Sequence, residues 1–321
     1  MVCSFPYGIY YLEHISMWTS ENNWYKWWYG SGSMFGRQTN NLPFNTSYAC
    51  GFNKIVGGFK EELHKAAAST LDHYPGLRPC IFFSGGADSE LILRAYLDIG
   101  ANPEVYIVRY EKDYNIYDVS YAITICNILG VKYNLIDFEL KKFYRNDAEL
   151  ISEEAQIDRP RMLPHVKFVD CADGLIIVGH SDVRWYRLNE DYSEPGIWLA
   201  QDFEHDIGCD KYNLLHNRPA IYQWWKWTPG LILSYTRLNW FQNLVKDKYN
   251  GKLGINSTKL QGFREVYPDM IQRKKATGFE EVDHLVNELE DHFIKKYNGL
   301  PYRNEINRSL EEMTKEIYSN D

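Results

Sequence analysis

The stretch that most restricts the fold of this chain is Ser84-Gly85-Gly86-Ala87-Asp88-Ser89. It stands between a short apolar strand, Cys80 to Phe83, and a helix-patterned run carrying Leu91, Ile92, Ala95, Tyr96 and Ile99. Two glycines at a strand-to-helix turn permit positive φ and let a bulky group approach the backbone closely. The N–H groups that open the helix have no intrahelical partner, and the helix dipole adds to their attraction for an anion. Ser84 and Ser89 offer hydroxyls. Asp88 is unwelcome beside phosphates unless a cation intervenes, which assigns it to Mg²⁺. The assembly suits a polyphosphate, and pyrophosphate in particular. A Ser-Gly-Gly tripeptide alone is an ordinary tight turn with an Asp or Ser cap; the flanking strand and helix give it meaning. No Gly-x-x-x-x-Gly-Lys-Ser/Thr loop competes with it.

The surrounding pattern alternates in the same way. Phe59, Leu63, Ala66, Ala67 and Leu71 repeat at three and four and stop at Pro75-Gly76. The helix after the loop stops at Gly100. Glu104 to Arg109 reads as a buried strand. Val119, Ala122, Cys126 and Leu129 form a helical stripe closed by Gly130. Val131 to Phe138 and Leu175 to Val178 are further strands, separated by a long helical or irregular stretch. Strand–helix–strand alternation implies right-handed crossovers and a mostly parallel sheet with helices on both faces, an α/β fold.

Three segments are expected. Residues 1–55 are rich in aromatics (Trp18, Trp24, Tyr25, Trp27, Trp28, Tyr29, Phe35) broken by Gly30, Gly32 and Gly36. They read as short strands or hairpins whose rings cover one end of the core rather than form an exposed platform. Residues 56–190 hold the nucleotide-binding core. Residues 191–321 are mainly helical and complete the active site; Val282, Leu285, Val286, Leu289 and Phe293 mark one amphipathic helix, and the last 20 residues read as a surface helix or a frayed end.

Composition narrows the function classes. A formal net charge of −8 argues against a broad electrostatic footprint for nucleic acid. Cysteines at 3, 50, 80, 126, 171 and 209 form no Cys-x-x-Cys pair, so neither a zinc ribbon nor a redox pair is written. They read as isolated thiols of a reducing compartment. The opening residues lack a signal peptide's basic and apolar regions, and no run approaches the roughly 18 apolar residues of a membrane span. The expectation is a cytoplasmic protein, with the Asn-x-Ser/Thr triplets at Asn45, Asn256 and Asn307 arising by chance.

The hexapeptide resembles the PP-loop of the ATP pyrophosphatase superfamily, which includes asparagine, β-lactam, GMP and NAD synthetases and tRNA thiolases. Two more segments resemble the asparagine synthetase branch. Leu175-Ile176-Ile177-Val178-Gly179-His180-Ser181-Asp182 is similar to its second Gly-rich turn, although Gly179 and His180 stand where the family has glutamate and Val183 follows Asp182. Tyr267 to Phe279, containing Arg273-Lys274-Lys275, resembles its late Arg-x-Lys…Gly-Phe segment. Without the resemblance, that segment is a basic surface patch.

The resemblance implies a Rossmann-like parallel sheet of the PP-loop, or HUP-type, class, with ATP and Mg²⁺ as cofactors. Asp88 and Asp182 would share the metal. Ser84, Gly85, Gly86, Ala87 and Ser89 would hold pyrophosphate, with Gly179 and Arg273 nearby, and the adenine would lie against backbone near Ile107 and Val108. Lys275, with Lys274 as the alternative, would stabilise charge on the α-phosphate. His180 is placed either to take a proton from an incoming amine or to hydrogen-bond Asp182. The implied partners are a small carboxylate substrate and ammonia or an amine donor. Fewer than 85 residues precede the loop and Cys3 lies behind Met1-Val2, so no glutaminase domain with a terminal cysteine is read here; a glutaminase acting in trans is the remaining route to glutamine nitrogen.

Two rival readings stand beside this one: a PP-loop enzyme that modifies a nucleobase in tRNA or DNA, and a catalytically lapsed ATP-binding module. Arg184 and Arg187 read equally as anion contacts or solvated surface. Trp224, Trp225 and Trp227 read as packing in preference to a substrate wall.

Overall fold

A computed structural model of the chain describes residues 10–12, 15–17, 24–28, 45–48, 52, 55–155, 157, 159–179, 184–187, 198–246, 255–271, 277–296 and 305–318. The aromatic-rich start forms two antiparallel pairs: β1 (Tyr10–Leu12) with β2 (Ile15–Met17), and β3 (Tyr25–Trp28) with β4 (Asn45–Tyr48).

The core then alternates: α1 (Phe59–His73), β5 (Pro79–Phe82), α2 (Ala87–Asp98), β6 (Glu104–Tyr110), α3 (Ile116–Leu129) and β7 (Tyr133–Phe138). A helical layer follows, α4 (Leu140–Asn146), α5 (Ala148–Ala155) and α6 (Leu163–Lys167), and leads to β8 (Leu175–Val178). Beyond it lie β9 (Arg184–Arg187), β10 (Trp198–Phe203), α7 (Glu204–Leu215), β11 (Ala220–Ile221), α8 (Pro229–Tyr235), α9 (Asn239–Lys246), α10 (Ile255–Phe263), α11 (Asp283–Lys296), β12 (Glu305–Ser309) and α12 (Leu310–Tyr318).

Five strands form one parallel sheet in the order β11-β8-β5-β6-β7. Helices cover both faces, so this is the Rossmann-like α/β fold that the alternation implies. Side chains alternate across each strand. Ile81, Phe83, Val105, Ile107 and Ile177 face a core shared with α1, α2, α3, α8 and α10. Cys80, Phe82, Tyr106, Ile176 and Val178 face a second core shared with α4, α5, α6, α7 and α11. With both faces covered, β5 and β8 are buried at every position, as all-parallel strands require.

Local chemistry ends the helices where the sequence suggests. Gly130 closes α3 in the left-handed region at φ 66°, and Val131 N donates to Cys126 O at 2.8 Å. Trp224, Trp225 and Trp227 are buried. Trp225 stacks on Phe263 with ring centres 5.7 Å apart, and Trp224 Nε1 donates to Tyr96 Oη.

Two features depart from the sequence reading. β9, β10 and β12 form a second, antiparallel sheet in the order β12-β10-β9. The end of the chain also does not fray within the described residues. Met313 and Ile317 of α12 are fully buried, because the helix packs on the aromatic segment: Glu316 Oε1 accepts from Tyr48 N at 2.7 Å and Ile317 O accepts from Phe52 N at 3.1 Å. Among the described residues, no helix is long and apolar enough to cross a membrane.

Candidate active site

The site is built on the turn from β5 into α2. Phe83 N donates to Tyr106 O at 2.8 Å, the last sheet bond before the chain leaves the strand. Gly85 then takes φ 71°, in the left-handed region. A Cβ there would stand 2.6 Å from Asp118 O and 3.2 Å from Ala122 N, so the loop lies flush against the backbone of α3. Gly86 is different: it is the extended N-cap of α2 at φ −72°, and its oxygen accepts from Glu90 N at 2.9 Å. One glycine supplies the positive φ and the other opens the helix.

No side chain caps the N-terminus of α2. The N–H groups of Ala87, Asp88 and Ser89 precede the first intrahelical bond and form a nest for an anion, reinforced by the helix dipole. The two serines brace the turn. Ser89 Oγ donates to Gly86 O at 3.1 Å, and Ser84 Oγ accepts from Gly86 N at 3.2 Å and pairs with Ser89 Oγ at 3.2 Å. With the Ser89 proton committed to Gly86 O, Ser84 is the donor in that pair.

The turn at the end of β8 is seated on this loop. A Cβ on Gly179 would stand 3.3 Å from both Ser89 N and Ser89 Cα, tighter than ordinary contact. Glycine is what lets the two strand ends approach. Asp182 and His180, three residues and one residue further on, lie outside the described residues, as do Arg273, Lys274 and Lys275.

A cation that local sequence gives no reason to select completes the loop. Lys259, buried on α10, places Nζ 3.5 Å from Asp88 Oδ2. The pair spans 171 residues, and nothing around Ser257-Thr258-Lys259 marks it. Among the described residues, no group of three or more His, Cys, Asp or Glu gathers to hold a metal, so Asp88 is a lone carboxylate here. It stands at a helix N-terminus beside a second cation, and Mg²⁺ needs only one or two carboxylates when the phosphates of the substrate supply the rest.

A cavity of about 350 Å³ opens beside the loop. Of the sequence-predicted residues, Ser84, Ser89, Ile107, Val108 and Gly179 line it; Gly85, Gly86, Ala87 and Asp88 are on the loop but not in the lining. Phe82, Tyr106 and Phe168 supply flat faces, with Phe82 stacked on Tyr106 at 5.1 Å and 12° and on Phe168 at 5.5 Å and 28°. Asn115 fixes the edge at the end of β6: its Oδ1 accepts from Tyr110 N at 2.8 Å and its Nδ2 donates to Val108 O at 2.9 Å. Burial first, then the charges of Asp118 and Glu111, push the Tyr110 phenol well above its ordinary pKa, so it stays neutral.

Among the described residues of the lining, the charged side chains are Arg159 and Arg161, with the His165 imidazole beside them. Arg161 is ion-paired with Asp283 at the start of α11. Thr277 and Phe279, just past the basic segment, complete the wall, where Gly278 turns at φ 79° against the backbone of Tyr114 and Asn115.

The structure thus brings together the loop, the β6 edge and Gly179 from the sequence reading, and adds Lys259, Asn115 and the wall from 159 to 168, which that reading did not name. Asn115 carries a weak signal, an Asn just ahead of a helix stripe, although its side chain turns back to β6 instead of capping α3. The 159–168 wall carries none, since that stretch shows no period.

No protein-family model matches the sequence, and a search of curated proteins finds no match. Among solved structures the chain is similar to an NMN synthetase from Francisella tularensis, with 14% identity and a TM-score of 0.33 over 76% of this chain and 95% of that one. It is similar to an NH3-dependent NAD synthetase from Campylobacter jejuni, with 13% identity and a TM-score of 0.29 over 76% and 96%. It is also similar to a glutamine-dependent NAD+ synthetase from Acinetobacter baumannii, with 10% identity and a TM-score of 0.30 over 80% of this chain and 51% of that one.

Proposed function

We propose that the protein is an ATP-dependent adenylating synthetase of the PP-loop class, which activates a carboxylate for amidation by ammonia or an amine. The observation that carries this reading is the anion nest at the start of α2, with Asp88 in its first turn and Lys259 beside it. The N–H groups that open a helix, joined to a carboxylate–ammonium pair, suit a leaving pyrophosphate and its metal.

In this reading the nucleoside lies in the cavity, its base between the flat faces of Phe82 and Phe168 and the edge at Ile107 and Val108. Asn115 keeps that edge rigid, which lowers the ordering cost of binding. The β- and γ-phosphates sit on the N–H groups of Ala87, Asp88 and Ser89. The acceptor carboxylate oxygen forms a bond to the α-phosphorus while the bond to the bridging oxygen of pyrophosphate breaks. Lys259, and Lys275 or Lys274 from the basic segment, stabilise the charge that leaves. Ammonia or an amine then attacks the acyl carbon, AMP departs, and the surplus amine proton passes to a base, the role assigned to His180. Magnesium held by Asp88, with Asp182 as its partner, would neutralise the phosphate oxygens when bound. Nearly all the catalysis is positioning and charge.

The test is release of AMP and pyrophosphate from Mg-ATP by purified protein, with ammonia and a panel of carboxylates headed by aspartate. Acceptor-dependent release is expected, falling about 100-fold or more in Asp88→Ala. Failure of ATP to bind at all would remove the basis of the reading.

A further inference from the structure

Lys259 belongs to a unit fastened to α2 at three heights. At the first turn of α2 stands Asp88, met by Lys259. Midway stands Arg94, whose Nη1 and Nη2 reach the Asp269 carboxylate at 3.2 and 2.9 Å, a two-pronged pair. At the last turn stands Asp98, which accepts from Tyr267 Oη at 2.9 Å. Asp269 and Tyr267 lie on the turn that follows α10, and that turn is stiff. Arg264 Nε donates to Met270 O at 2.7 Å, Tyr267 N donates to Phe263 O, and Met270 is buried.

Arg94 is the costly member. It is buried beside the equally buried Glu90, to which Nε and Nη2 also bond, each at 2.9 Å. Burial works against the charged guanidinium, but the Asp269 hydrogen bond and the Glu90 charge outweigh it and raise the Arg94 pKa. Tyr121 Oη on α3 lies 3.2 Å from Glu90 Oε2 and 2.9 Å from Ile271 O, its one proton shared between the two acceptors. A buried ion network adds little net stability compared with apolar packing of the same volume; its attested use is to select one register. Here the register selected is that of α10 on α2, and the side chain whose place depends on it is Lys259. A lysine ammonium rides on a flexible four-carbon stem, so its backbone must be held if it is to meet a phosphate oxygen at a set distance.

We infer that Arg94 and Asp269 are positioning residues for pyrophosphate: they lock α10 against α2 and so place Lys259 beside Asp88, an inference that rests on the functional reading above. Asp269 is the member to test, because its side chain is 61% exposed and Asp269→Asn leaves the core intact. Arg94→Ala would strand Glu90 as a lone buried charge and test the fold instead.

The experiment is a double-mutant cycle on the full chain, reading the affinity for magnesium pyrophosphate by calorimetry, with thermal midpoints alongside. Lys259→Met is expected to weaken binding about 30-fold and Asp269→Asn about 5-fold, while the double variant binds within about 2-fold of Lys259→Met alone, because the clamp acts only through the lysine. Asp269→Glu should restore most of the loss. Multiplying effects in the double variant, or Asp269→Asn that binds like the unaltered protein, would overturn the positioning role while leaving the functional reading intact. An unaltered protein with no affinity for magnesium pyrophosphate would overturn both.

Discussion

Gly85 and Gly86 look interchangeable in the sequence and do different work. Gly85 combines φ 71° with a position where a Cβ would meet Asp118 O at 2.6 Å, whereas Gly86 has an extended backbone that any residue adopts. Gly85→Ala is therefore expected to cost about 1–3 kcal/mol of stability from strain at positive φ, with more from the clash against α3, and to spoil the anion nest. Gly86→Ala should keep the fold. Thermal unfolding and pyrophosphate binding of the two variants check both halves. The hexapeptide itself was readable because its chemistry is local: strand, two glycines, a carboxylate and a helix start lie within ten residues. Lys259 was not readable, because its meaning comes from Asp88 on the far side of 171 residues of chain. Asn115 falls between: its type and place before a helix were visible, but not its choice of the strand behind it over the helix ahead.

Among elements, α2 and α12 mark the two extremes of legibility. The apolar positions of α2 repeat cleanly, and each of its polar residues that sequence alone would leave to solvent, Glu90, Arg94 and Asp98, has a named partner. Helix period reveals which face is buried; it does not reveal that a buried face carries an ion network, because Glu and Arg are assigned outward by type. α12 was misread for the opposite reason. Its Glu and Lys content suggested a free surface helix, yet Met313 and Ile317 stand four apart and are wholly enclosed. Met313→Ala is expected to lower unfolding free energy by about 2–5 kcal/mol, measured by chemical denaturation; an effect within about 0.5 kcal/mol would mean that the helix is dispensable. β9, β10 and β12 escaped notice because none shows strict alternation, and β12 joins β10 from roughly a hundred residues further along the chain.

At the scale of the whole molecule, charge is distributed against the net. The chain carries −8, while the charged side chains in the cavity lining, among the described residues, are Arg159 and Arg161. On the proposed function, attraction for a nucleotide is short-ranged and local, while a net charge of −8 disfavours long polyanions. In a gel-shift assay at about 0.15 M salt, unmodified tRNA and duplex DNA are expected not to bind; a shift that weakens steeply with added salt would favour a nucleobase acceptor instead. The α/β architecture was legible because four of the five strands and their crossovers carry a local signal; the two-residue β11, in a stretch read as helical, was not, and neither was the closing of the molecule. That closing has a temporal side. Tyr48 N and Phe52 N donate to Glu316 Oε1 and Ile317 O, the first of them across a separation of 268 residues. During synthesis Tyr48 leaves the ribosome 268 residues before Glu316, the group that accepts from it. Until then Phe52, buried in the finished fold against Tyr318, lacks that cover.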